Sequence, residues 1–207
     1  MEIIDISQTL QEGITVWPGD PEFQRHPVLQ MAEGESSNVS AIHMGTHTGT
    51  HIDAPLHVDH AGNDVAGIPV QFFMGPARVI QISAKPCIQA ADLSSLDWQG
   101  VERVLFRTRF SSRSEQVFDP DFVYLEEDAS AFLARKGMLL VGIDTPSIDP
   151  FDSTDLRSHK TLIRNGTVVL ENARLGQVSP GDYNLICLPL KIAGADGSPV
   201  RAVLWRG

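Results

Sequence analysis

Apolar positions along the chain gather in short runs rather than in long helical stripes. The runs at 2–6, 77–82, 101–106, 138–143 and 184–190 are rich in branched residues and read as strands. Two segments break that rhythm. Residues 126–136 have helix-forming composition and stop at Gly137, and residues 153–164 read as a helix capped by Ser153 and ended by Asn165 and Gly166. Strands outnumber helices and do not alternate with them regularly. That favours a mixed α/β fold, a mixed-sheet or barrel-like core with flanking helices, over a doubly wound parallel sheet. The 13 prolines and 17 glycines fall mainly between these segments, without repeats or a long linker, so residues 1–207 are expected to form a single domain.

Composition narrows the partners. Hydrophobic residues at 42% and charged residues at 20% are those of a folded globular chain, and a net charge of -10 repels polyphosphate, so no nucleic acid partner is expected. The opening MEIIDISQTL has no basic leader, and no stretch approaches the roughly 18 apolar residues of a membrane span. A cytoplasmic protein without membrane partners is the expectation. Cys87 and Cys187 lack the short spacing of a thiolate metal site and read as reduced, buried and inert.

Histidine placement changes the picture most. Five of the seven histidines fall between His43 and His60, where an even spread would put fewer than one. His and Asp supply the nitrogen and oxygen donors that divalent ions such as zinc take. His47, His51, Asp53 and His57 are all odd-numbered, so an extended strand would turn them to one face. Side chains four residues apart on such a strand are about 13 Å apart, too far to share an ion, so the backbone has to bend between His47 and His51. Gly49 permits the bend, and Thr48, Thr50 and Pro55 disfavour a helix. The ligands are therefore expected on a kinked strand end and loop. Pro55 holds His57 near the metal without making it a ligand, which suits an imidazole to proton transfer. His43 could support the cluster or simply pack; His26 and His60 read as ordinary histidines, and Asp59 and Asp64 as solvated loop carboxylates.

Two later residues fit less directly. On a helix, His159 would share a face with Leu156 and Ile163, which turns it inward toward a partner. Glu171 follows the apolar run 168–170, where an inward carboxylate needs a cation. Trp17, in the turn-rich VWPGDP, is either a core residue or a pocket wall.

Residues 47–57, HTGTHIDAPLH, match the HxGTHxDxPxH signature of the cyclase family of metal-dependent hydrolases. Trp17 and Pro18, residues 38–40, residues 142–147 with the DPFDS that follows, and the PGDY, LPLK and SPVRAVL segments extend the likeness over nearly the whole chain. In this the chain resembles that family's bacterial kynurenine formamidases. The resemblance implies a cyclase-type swivelling β/β/α fold and a homodimer. It also implies two divalent ions, usually zinc, with His47 and His51 on one, His159 on the other, and Asp53 and Glu171 bridging or completing both shells. His57 then matches the general acid/base, and Trp17 the wall of the substrate pocket. The implied reaction is hydrolysis of N-formyl-L-kynurenine to L-kynurenine and formate. Two alternatives stand beside it: an isatin hydrolase or similar cyclic-amide hydrolase, with manganese as the alternative metal, and a non-catalytic protein with a structural metal. No GxSxG elbow occurs to support a serine hydrolase.

Overall fold

The computed structural model describes residues 1–82, 85–112 and 117–207. In chain order the strands are β1 (Glu2–Asp5), β2 (Gln24–Leu29), β3 (Val39–His43), β4 (His51–Asp53), β5 (Met74–Gln81), β6 (Cys87–Ile88), β7 (Arg103–Arg107), β8 (Tyr124–Leu125), β9 (Leu140–Ile143), β10 (Val168–Glu171), β11 (Gly181–Ile186), β12 (Gly197–Pro199) and β13 (Val203–Arg206). The α-helices are α1 (Ala90–Leu93), α2 (Glu127–Arg135) and α3 (Arg157–Arg164). Among the described residues, nine strands form one mixed sheet in the order β1-β13-β11-β5-β7-β9-β10-β4-β12. Its centre, β5-β7-β9-β10, is parallel, and both flanks are antiparallel.

Alternation along the central strands builds two cores. Val104, Phe106, Val141, Ile143 and Val169 face one side, where they pack with Leu133 of α2 and Leu162 of α3. Leu105, Leu140, Val168 and Leu170 face the other side and meet Ile52, Leu185 and Leu204 from the flanking strands and Ile6, the residue after β1. The helices thus cover one face, and the sheet curls over its own second face into a half-barrel. This is the mixed α/β architecture expected from the sequence.

The five strand runs all contain strands, and α2 ends as expected before Gly137, whose φ is +73°. Residues 153–164 differ. The helix begins four residues later than expected, because Ser153 does not cap it: its hydroxyl accepts the Leu156 N–H at 3.1 Å, and Leu156 adopts a left-handed conformation with φ +48°. Short polar side chains compete in this way with helical backbone bonds. The carboxylate of Asp149 does the capping instead, accepting the N–H groups of Ser158 and His159. The β2 and β3 hairpin, with every residue exposed, stands apart from the main sheet. None of the helices among the described residues is long and apolar enough to cross a membrane.

Candidate active site

The site forms on the helix-covered face, where β4 and β10 run side by side. Their antiparallel register sets His51 opposite Glu171 and Asp53 opposite Val169. Ile52 enters the core on the far face, so His51 and Asp53 are turned toward α3. The bend before β4 lies at Gly49, whose φ is +67°. It brings His47 back over the strand, with Nδ1 2.8 Å from Asp53 Oδ1. Gly197 of β12 makes room for that ring: a Cβ there would stand 2.8 Å from both His47 Cε1 and the Ile52 carbonyl oxygen.

Each of these histidines is held from its outer nitrogen. His51 Nδ1–H donates to the Gly49 carbonyl at 2.8 Å, which leaves Nε2 3.3 Å from Asp53 Oδ1 and 3.5 Å from Glu171 Oε2. His159 Nδ1 bonds Asp149 Oδ2 at 2.6 Å, and its Nε2 lies 3.3 Å from Asp53 Oδ2 and 3.2 Å from Glu171 Oε1. His47 Nε2 lies 3.2 Å from Asp196 Oδ2. Glu171 Oε1 also accepts the Ile148 N–H at 2.7 Å. A fixed outer partner selects the tautomer and aims the remaining nitrogen, the arrangement common around metal-bound histidines.

Burial makes this cluster costly unless its charges are matched. Asp53 is 0% exposed, His51 and His159 2% and Glu171 4%. Burial alone would raise the Asp53 carboxyl, but His51, His159 and His47 hold it well below its ordinary range. Glu171 is likewise raised by burial and by Asp53, and brought down on balance by His159 and His51. Burial opposes protonation of His47, yet Asp196 and Asp53 lift it to about 9; His51, buried beside Asp53 and Glu171, rises to about 10. His57 goes the other way. Burial holds it below its ordinary value, and the neighbouring His47 and His159 add to that against the pull of Asp53.

His57 follows Pro55 in a short 3₁₀ turn, and its ring centroid lies 4.2 Å from that of His47 and 5.6 Å from that of His159. Above these residues opens a cavity of about 400 Å³. Trp17 forms part of its wall, with ring centroids 5.5 Å from Phe118 and 5.2 Å from Phe151. All seven residues singled out in the sequence therefore meet in or beneath one cavity. His26, His43 and His60 are exposed outside it, and the loop carboxylate of Asp64, half-buried, caps a turn by accepting the Gly67 N–H. Cys87 is half-buried, in contrast to the fully buried Cys187. Asp149 and Asp196 escaped sequence reasoning. An Asp shortly before a helix was a usable signal for Asp149, whereas Asp196 lies 149 residues from its partner His47 with no local pattern.

The donor set fits divalent metal. His47, His51 and Asp53 form one trio and Asp53, His159 and Glu171 another, each with ligand atoms within 4.8 Å of one another, sharing Asp53. His51 Nε2 is buried without a hydrogen-bond partner and points at both carboxylates, as a ligand nitrogen would. Nitrogen and carboxylate donors in this mixture suit zinc or a similar ion.

Residues 4–150 match the family model described as "Putative cyclase". A kynurenine formamidase of Bacillus cereus is 45% identical over 98% of this chain and 97% of its own. A solved structure described as a "predicted metal-dependent hydrolase" from Bacillus stearothermophilus shares 32% identity with a TM-score of 0.85, covering 98% of this chain and 97% of that one. Isatin hydrolase A from Labrenzia aggregata shares the fold at a TM-score of 0.84 but only 24% identity, over 98% of this chain and 93% of that one. With the matching segment spanning most of its length and a near full-length relative at this identity, the chain belongs to the cyclase family.

Proposed function

We propose that this chain, acting as one domain over residues 1–207, hydrolyses the formamide of N-formyl-L-kynurenine to L-kynurenine and formate. The observation that carries the reading is the pair of buried carboxylates, Asp53 and Glu171, met by the aimed nitrogens of three histidines at the floor of an aromatic-walled cavity. Near full-length similarity to kynurenine formamidases supports the substrate.

His47, His51 and Asp53 would hold one ion and Asp53, His159 and Glu171 a second, with zinc suited to the donors and manganese the alternative. Bound there, divalent ions supply Lewis acidity, acidifying water and polarising a carbonyl. The protein contributes the rest. Its outer partners aim the ligand histidines, and Trp17 with Phe118 offers flat apolar surface to the aryl ketone, with Phe151 packed against both rings. His57, the imidazole held neutral, takes the proton of the attacking water and returns it to the departing aniline nitrogen, which leaves poorly until protonated. The C–N bond breaks, the formyl carbon gains the water oxygen, the second water proton departs with formic acid and passes to solvent as formate forms, and no proton is left on the protein.

The protein is read as a cytoplasmic homodimer. Two free cysteines fit a reducing compartment, and exposed Val28, Leu29, Val39 and Ile42 on the β2 and β3 hairpin offer apolar surface to a second copy. The deciding experiment is a steady-state assay of metal-quantified protein on N-formyl-L-kynurenine and isatin side by side, before and after chelation. Metal-dependent turnover of the formamide in preference to isatin is expected; preference for isatin overturns the assignment of substrate, and chelation that unfolds a protein with no activity overturns the catalytic site.

A further inference from the structure

Asp196 occupies the junction of the two histidines nearest the cavity. Its main chain is secured independently of its side chain: the carbonyl oxygen accepts the Ala54 N–H at 2.8 Å, and the next residue opens β12 opposite Asp53. The carboxylate is clamped as well. Thr46 Oγ1–H donates to Oδ1 at 2.8 Å, which presents Oδ2 at 3.2 Å from His47 Nε2 and 3.9 Å from His57 Nδ1. One oxygen is thus fixed by a hydroxyl so that the other faces two imidazoles at once.

Resting on the formamidase reading, we propose that Asp196 is a positioning residue for His57. A carboxylate beside Nδ1 favours the tautomer that carries its hydrogen there, so that Nε2 is the nitrogen that takes the water proton and delivers it to the departing nitrogen, and this delivery, which an aniline needs and a phenolate does not, is the step Asp196 governs. The separation of 3.9 Å is a contact that a small rotation of the His57 ring closes; catalytic hydrogen bonds commonly shorten once substrate is bound. The same oxygen faces His47, so the orientation of the proton-transfer ring is tied to that of a metal-binding ring. Asp196 keeps its charge throughout and exchanges no proton with substrate; its role is to choose the face and tautomer that His57 presents.

The arrangement admits a rival, because His47, His57 and Asp196 themselves bring ligand atoms within 4.8 Å and could hold an ion directly. The test separates the two. Asp196→Asn and Thr46→Val are assayed, with metal content determined, on N-formyl-L-kynurenine and on 4-nitrophenyl formate, whose phenolate departs without a proton. For Asp196→Asn the expected result is a fall of about 100-fold in kcat for the formamide, a much smaller fall for the ester, and KM and metal content near wild type. Thr46→Val, which frees the clamped oxygen but keeps the charge, is expected to show the same amide-selective loss at about a tenth of the size. Equal losses on both substrates, loss of an ion, or unchanged amide turnover overturns the proposal. A wild-type protein that hydrolyses the ester but not N-formyl-L-kynurenine sinks the formamidase reading itself, and the proposal with it.

Discussion

The inner and outer halves of the site are built by different means. Asp53, His159 and Glu171 are buried, and each is positioned by secondary structure: the β4 and β10 register for the carboxylates, and the capped start of α3 for the imidazole. His47, His57 and Asp196 are only partly buried and come from three connecting segments. The inner half is fixed once the sheet and helix have formed. The outer half is set by side-chain contacts and can adjust its rings by small rotations. A division of labour follows, in which the inner residues only hold, whereas the outer half joins a metal-holding ring, His47, to the proton-moving His57 through Asp196.

Removing the shared ligand tests the holding half most severely. Asp53 belongs to both trios, so Asp53→Ala is expected to lose at least one ion per chain and to abolish detectable turnover, measured by elemental analysis beside a formamide assay. Retention of both ions would show that Asp53 does not bridge them. In the outer half, His57→Ala is expected to keep its metal while kcat falls about 10²- to 10⁴-fold. Metal loss in that variant would place His57 among the ligands and erase the distinction between the halves.

The sequence carried the two halves unequally. Residues 47–57 were legible because parity and a glycine decide their geometry locally: odd positions share a face, and only a bend at Gly49 lets His47 rejoin it. His159 and Glu171 were visible as inward polar groups lacking a partner, but their convergence depends on a strand pairing and a helix packing that periodicity does not encode. The short edge strand β12, three residues long, was illegible as a strand for a related reason, since its backbone is stabilised by neighbours distant in sequence. The late start of α3 belongs with these. Ser153 carries the right chemistry for a cap, yet Asp149 reaches the free N–H groups from outside the helical segment.

That displaced cap links folding to the site. Asp149 both caps α3 and fixes His159 through Nδ1, so Asp149→Asn is expected to weaken metal affinity about 10- to 100-fold, read by competition with a chelator of known strength. An amide keeps one accepting oxygen and so can still take the Ser158 N–H, and helix content by circular dichroism should stay near wild type. Equal metal affinity in the variant would mean that packing alone aims His159, and that the inner half needs no polar support behind it.

The smallest expected effect concerns the cavity wall. Trp17 meets Phe118 and Phe151 edge-on or tilted, so its indole is supported by the other aromatics rather than by hydrogen bonds to the metal-binding residues. Trp17→Leu keeps an apolar wall but removes the flat surface for the aryl ketone. Aromatic contacts are worth about 0.5–1.5 kcal/mol beyond the area they bury, which corresponds to a rise in KM of about 2- to 12-fold. If the indole only binds, kcat and metal content should not change, because a contact made equally in ground and transition states alters KM alone. A fall in kcat instead, with KM constant, would mean that Trp17 sets the orientation of the formamide over His57, and the wall would then belong with the outer, proton-handling half.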